Sequence, residues 1–85
     1  MTSPHPQGDA RAIKAMAHPA RYQVFAELQR GAVLTATQAA TFCGLSPSAM
    51  SYHLRALEKF GLVLRDDQHG DGDGRERPWR AVPGA

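Results

Sequence analysis

Ser48, Tyr52, Arg55 and Lys59 recur every three or four residues within LSPSAMSYHLRALEKFGLVL (residues 45–64), with Ser51 at their margin. That spacing gathers them on one face of an α-helix. The face combines hydroxyls, a phenol and two cations, and it carries no acid until Glu58 near its far end. Short hydroxyl donors suit the edges of nucleic-acid bases, and long cations suit phosphates. The chemistry on offer is hydrogen bonding and charge attraction toward a polyanion. The same residue types are ordinary on protein surfaces, and a solvated amphipathic helix is the simpler account of them. The elements around the helix decide between the two.

Ser46 is placed to cap that helix, because its hydroxyl can accept from an unpaired backbone N–H of the first turn. Pro47 follows where a missing N–H costs nothing and a fixed φ is already helical. Met50, Leu54 and Leu57 then form an apolar stripe at i, i+4 and i+7. Gly61 ends the helix, and Leu62, Val63 and Leu64 begin a strand that runs to about Asp67.

Upstream, Thr35 and Gln38 have the spacing of a capping box and start another helix, with Ala39, Ala40, Phe42 and Cys43 as its small or apolar residues. Gly44 stops it. Two helices joined by a tight glycine-containing turn form a helix-turn-helix, and Ala39 and Ala40 allow close crossing. Earlier still, Pro19 opens a helix whose apolar bulk comes from Tyr22, Val24, Phe25 and Leu28, with Gly31 at its end. Asp9 is a candidate cap for a first helix through Ala10, Ile13, Ala15, Met16 and Ala17. That helix is punctuated by His18-Pro19, since a residue before proline is pushed out of the α region. Ala32 to Leu34 reads as a short link or minimal edge strand.

Downstream of Gly61, two strand-like runs flank QHGDGDGRE (residues 68–76), which gives a long β-hairpin ending in Arg77 to Val82. Pro78 fits an edge strand, where its missing N–H does no harm. The expected class is mainly α with a small β-hairpin, a winged helix-turn-helix in the order α-α-α-α-β-wing-β. The expected domain spans 9–82, after a disordered lead-in at 1–8 and before a tail at 83–85.

With 85 residues the chain makes one domain with a thin core. No apolar run approaches the roughly 18 residues of a membrane span, and the N-terminus shows no signal-peptide pattern, so a cytoplasmic setting is expected. One cysteine excludes an intrachain disulfide. The net charge of +2 permits an anionic partner without requiring one. Residues 1–60 hold six Lys/Arg against three Asp/Glu, whereas 61–85 hold four against five.

These blocks resemble the ArsR-like family of bacterial winged-helix regulators over residues 11–82. AIKAMAHPARYQVFAEL looks like the family's opening helix pair, with its His18-Pro19-Ala20-Arg21 junction. LSPSAMSYHLRALEKFGLV resembles its recognition helix, with Ser51, His53, Leu54 and Leu57 at matching positions. GRERPWR resembles a subgroup whose chains are longer and carry a helical region after the wing. The resemblance implies a sequence-specific regulator of transcription that binds double-stranded DNA, typically a repressor and a homodimer. It places Ser48, Ser51, Tyr52 and Arg55 at the major groove. Ser46, His53 and Lys59 complete the recognition-helix set, His53 as a packing or phosphate-contacting residue rather than a base reader. Arg75, Arg77 and Arg80 belong to the wing, along the backbone or minor groove. The resemblance also implies dimerisation through the N-terminal helices, with a nucleoid-associated location.

Departures from the family bear on cofactors. Its metal sensors pair cysteines around the helix before the recognition helix. Here Cys43 is alone, and His5, His18, His53 and His69 are scattered, so no metal or other cofactor is expected. Cys43 reads as a small buried hydrophobe rather than a ligand or redox switch. Asp67, His69, Asp71 and Asp73 loosely have the look of a calcium loop, but Pro78 stands where its twelfth-position glutamate would be, and a solvated wing tip explains them better. Trp79 is expected to pack the hairpin onto the helices rather than stack on a base. No nucleophile–base arrangement, phosphate-cradling glycine loop or paired carboxylate motif is present, so an enzyme is not expected. Two alternatives stay open: a winged helix used for protein–protein contact, and the DNA-binding fragment of a larger effector-responsive regulator.

Overall fold

The computed structural model describes residues 13–66 and 77–84. Residues 13–15 are helical, and the chain turns at Met16 and Ala17 before the proline junction. The candidate cap Asp9 and the start of that helix lie outside the described residues.

Helix α1 spans Pro19–Gln29, and His18 ahead of it is extended (ψ 124°), as the following proline requires. Its buried stripe is Arg21, Val24, Phe25 and Leu28. Tyr22, expected in the core, is instead 63% exposed. The correction follows from helical geometry: stepping back from Leu28 by four and then three gives Val24, then Arg21. Tyr22 lies about 100° around the helix from Arg21. Gly31, beyond the last turn, takes φ +104°, which explains a glycine there.

Helix α2 spans Ala36–Cys43 and opens with the capping box read from the sequence. The Gln38 backbone N–H donates to Thr35 Oγ1 at 3.1 Å, and the Thr35 backbone N–H donates to Gln38 Oε1 at 2.9 Å. Ala39 and Ala40 are buried against α3, while Phe42 points outward at 50% exposure. Gly44 closes the helix at φ +72°, the left-handed conformation that lets the chain reverse within a few residues.

Helix α3 spans Pro47–Lys59, with Ser46 Oγ accepting from the Ala49 backbone N–H at 3.1 Å. Met50, Leu54 and Leu57 are fully buried. Each contributes roughly 1.5–3 kcal/mol relative to exposure, enough to fix the rotation of α3 about its axis.

Strands β1 (Val63–Arg65) and β2 (Trp79–Ala81) pair antiparallel, with Val63 opposite Ala81 and Arg65 opposite Trp79. The pairing extends one residue each way, since Asp66 N–H donates to Pro78 O (2.8 Å) and Val82 N–H to Leu62 O (2.9 Å). The hairpin read from the sequence is thus present, with shorter regular strands. Leu34 adds a one-residue third strand by exchanging backbone bonds with Trp79 at 3.1 and 2.7 Å. Trp79 itself is 3% exposed and packs the hairpin onto the helices, as expected. Helices followed by this hairpin make a winged helix-turn-helix.

Candidate nucleic-acid interface

The buried stripe of α3 dictates what its other side presents. With Met50, Leu54 and Leu57 inward, Ser46, Ser48, Tyr52, Arg55 and Lys59 are exposed, and Ser51 is half-buried at the edge. Tyr52 is 66% exposed, a large ring left in solvent on an otherwise polar face. The first turn carries no acid, and Lys59 occupies the last turn, where the helix dipole favours a cation. Glu58 is the acid expected near the far end, and it is exposed.

His53 is held by a hydrogen bond from another helix. It is half-buried, and its Nδ1 accepts a hydrogen bond from Arg21 Nε at 3.0 Å. Burial, then the Arg21 charge, then His18 hold its pKa below the ordinary histidine value. The His18 ring lies 5.4 Å from it, and Tyr52 meets it edge-on at 5.6 Å.

The wing cations divide. Arg75 and the loop residues Asp67, His69, Asp71 and Asp73 belong to a segment outside the described residues. Arg77 is exposed. Arg80 is half-exposed, with its Nε 3.8 Å from Oδ2 of Asp66, which is itself 3% exposed. Its charge is therefore partly committed inside the protein. Two cations escaped the sequence reading. Arg65 is exposed and holds its guanidinium 4.6 Å from the centre of the Trp79 ring. Arg21 is buried at 7% exposure. The β register was needed to find the first; the helical stripe of α1 would have revealed the second.

Cys43 is half-buried, its Sγ 3.9 Å from the Ala20 carbonyl oxygen, and burial raises its pKa. A thiol so placed is less thiolate at neutral pH than a free one. Among the described residues, no three His, Cys, Asp or Glu side chains form a group that could hold a metal ion. No described helix is long and apolar enough to cross a membrane.

A family model described as a helix-turn-helix domain matches residues 16–66, from just ahead of α1 to the end of β1. The chain belongs to the ArsR-type helix-turn-helix family. Two solved structures from Mycobacterium bovis resemble it, each with 25% identity and a TM-score of 0.71. One is a crystal structure of a possible transcriptional regulatory protein (fragment 1–100), matched over 95% of this chain and 81% of that one. The other is a solution NMR structure of a homodimeric winged helix-turn-helix DNA-binding domain, a possible ArsR-family transcriptional regulator. It is matched over 94% of this chain and 72% of that one. No curated protein matches the chain in sequence. The ArsR-type domain is a DNA-binding regulator of transcription.

Proposed function

We propose that this ArsR-type domain reads duplex DNA in the major groove with α3, using Ser48, Ser51 and Tyr52 at base edges, directly or through water. Arg55 and Lys59 meet phosphates, with Ser46 at the end of the helix closest to the backbone. Arg65, Arg77 and Arg75 supply the wing's backbone contacts, and Arg80 contributes less because Asp66 shares its charge. The observation that carries this reading is the outward face of α3, which pairs an exposed Tyr52 with Arg55 and Lys59 and has no acid in its first turn. A face without a bidentate arginine or asparagine at base edges discriminates bases weakly, so phosphate contacts dominate affinity.

The working form is a repressor dimer in the cytoplasm, associated with the nucleoid. Ile13 (72% exposed) and Tyr22 (63%) leave apolar surface at the N-terminal side, which supports pairing through the N-terminal helices. The homodimeric M. bovis domain supports the same arrangement. The GRERPWR-type wing fits a larger effector-responsive regulator of which this is the reading head.

Selection of bound duplexes from a randomised pool tests the function. Two inverted half-sites about one helical turn apart are expected of the dimer. Absence of enrichment at low salt overturns DNA reading in favour of protein–protein contact. On an enriched duplex, Arg55→Ala is expected to weaken all sequences alike and to lower the salt slope of binding by about one contact. An unchanged affinity at moderate salt removes Arg55 from the interface.

A further inference from the structure

Arg21 lies on the buried stripe of α1 at 7% exposure, and a guanidinium keeps its charge in any protein setting. Its Nε–H donates to Nδ1 of His53 on α3, 32 residues further along the chain. An Nδ1 that accepts is unprotonated, so the neutral ring carries its proton on Nε2. The bond spans two helices and therefore also ties the rotation of α3 to α1. Around it, His18 stands 5.4 Å from the His53 ring, and the Arg21 guanidinium carbon lies 5.8 Å from the centre of the Tyr52 ring. Tyr52 in turn packs edge-on against His53 at 5.6 Å.

We propose that Arg21 is a positioning residue for DNA reading, holding His53 as the Nε2–H tautomer so that it offers a neutral, oriented donor to a phosphate oxygen. The same contact keeps Tyr52 aimed at the groove. This rests on the reading of α3 as the DNA-facing helix. Alternatives for the cluster are weaker. A metal cation on His18 and His53 would be opposed by the adjacent Arg21 charge. A core role for His53 alone leaves Nε2 without a task, since His53 is half-buried rather than enclosed.

Among the described residues, the charged and titratable groups facing His53 are Arg21 from α1, His18 from the junction before it, and Tyr52 from α3 itself; none of these is a carboxylate. Protonating His53 turns its Nδ1 from acceptor to donor and breaks the Arg21 bond. The lowered pKa agrees with a neutral ring at neutral pH. A histidine with a depressed folded pKa contributes stability that is complete above its unfolded value and falls as pH drops through the folded one.

Long-range proton–nitrogen NMR of the unmodified protein reads the tautomer directly. Protonation at Nε2 is expected, and protonation at Nδ1 overturns the proposal. Duplex affinity at fixed salt then tests the contact, since a neutral donor releases no counterion and leaves the salt slope to the cations. His53→Gln keeps an acceptor for Arg21 and a donor for phosphate, so it should bind within about threefold of the unmodified protein. His53→Phe keeps a ring and loses both, so its affinity should fall by roughly tenfold with its salt slope unchanged. Unchanged affinity in His53→Phe overturns the proposal. Arg21→Met should share the loss of affinity while remaining folded by circular dichroism, and full retention of affinity there also overturns it. Should Arg21→Met not fold, the tautomer and the Gln–Phe comparison still decide. Arg55→Ala run in parallel separates the two readings: if its affinity and salt slope are also unchanged, α3 does not face DNA at all.

Discussion

Ser46 offers a perturbation whose effects on stability and on DNA binding should move in different directions. Its hydroxyl accepts from the Ala49 backbone N–H at 3.1 Å and satisfies a donor that nothing else in the first turn caps. Ser46→Ala removes that acceptor and should cost about 1 kcal/mol. In a domain of this size that lowers Tm by roughly 4–8 °C. Ser46→Asp keeps an acceptor in the same place and adds a negative charge where the helix dipole welcomes one, so Tm should hold or rise slightly. The two substitutions reverse order in DNA binding. A carboxylate about 4 Å from a phosphate is repelled by about 1 kcal/mol in water, and by about 4 kcal/mol where the effective dielectric constant falls to about 20. An interface between those limits gives an affinity loss of roughly tenfold or more for Ser46→Asp. Ser46→Ala should bind within about threefold of the unmodified protein at a temperature where both are folded, since only one hydroxyl contact is lost. Thermal melts followed by circular dichroism, and fluorescence anisotropy with a labelled duplex, measure both quantities on the same samples. Unchanged melting of Ser46→Ala would refute the capping argument. Unchanged binding by Ser46→Asp would place the start of α3 away from phosphate and refute the docking argument.

Two further substitutions probe the scaffold. Leu54→Asp puts a carboxylate at a fully buried position in a thin core and should abolish the cooperative melting transition; a retained transition would contradict the assigned buried face of α3. Gly44→Ala meets no atom within 4 Å but must adopt φ +72°, so it should cost about 1 kcal/mol from backbone strain alone, seen as a modest fall in denaturant midpoint without a change in slope.

The features legible in the sequence are those set by neighbours along the chain. The Thr35–Gln38 box, the Ser46-Pro47 start and the glycines after each helix involve residues within a few positions of one another. The period of Met50, Leu54 and Leu57 fixed which side of α3 faces solvent before any tertiary contact was known. Tyr22 was misplaced for an instructive reason. Hydrophobicity argued for a tyrosine over an arginine, yet the stripe through Leu28 and Val24 passes Arg21, and helical geometry prevailed. The resulting cost of a buried cation is offset by a hydrogen bond to a residue 32 positions away, which no local pattern announces.

The same distinction governs the wing. Arg75, Arg77 and Arg80 looked equivalent as letters in GRERPWR, but Arg80 faces Leu64 across the hairpin and reaches the buried Asp66 just beyond it. Arg65, unremarkable in sequence, is set opposite Trp79 by the register and rests its guanidinium against that ring. A cation over an indole is attracted by roughly 0.5–1 kcal/mol when exposed, which restrains the guanidinium. Net charge is consequently a poor guide to this molecule's attraction for DNA. Arg30 is paired with Glu27 at 3.2 Å and Arg80 with Asp66, so these two cations project little field. Arg55, Lys59 and Arg65 are exposed without an ion pair among the described residues. At physiological salt the screening length is about 8 Å, so a phosphate at α3 responds to the cations within that reach. The +2 of the whole chain is the remainder after distant charges cancel. In the proposed docking, the cations placed on α3 and at the base of the wing, rather than that remainder, set how strongly the domain holds a duplex.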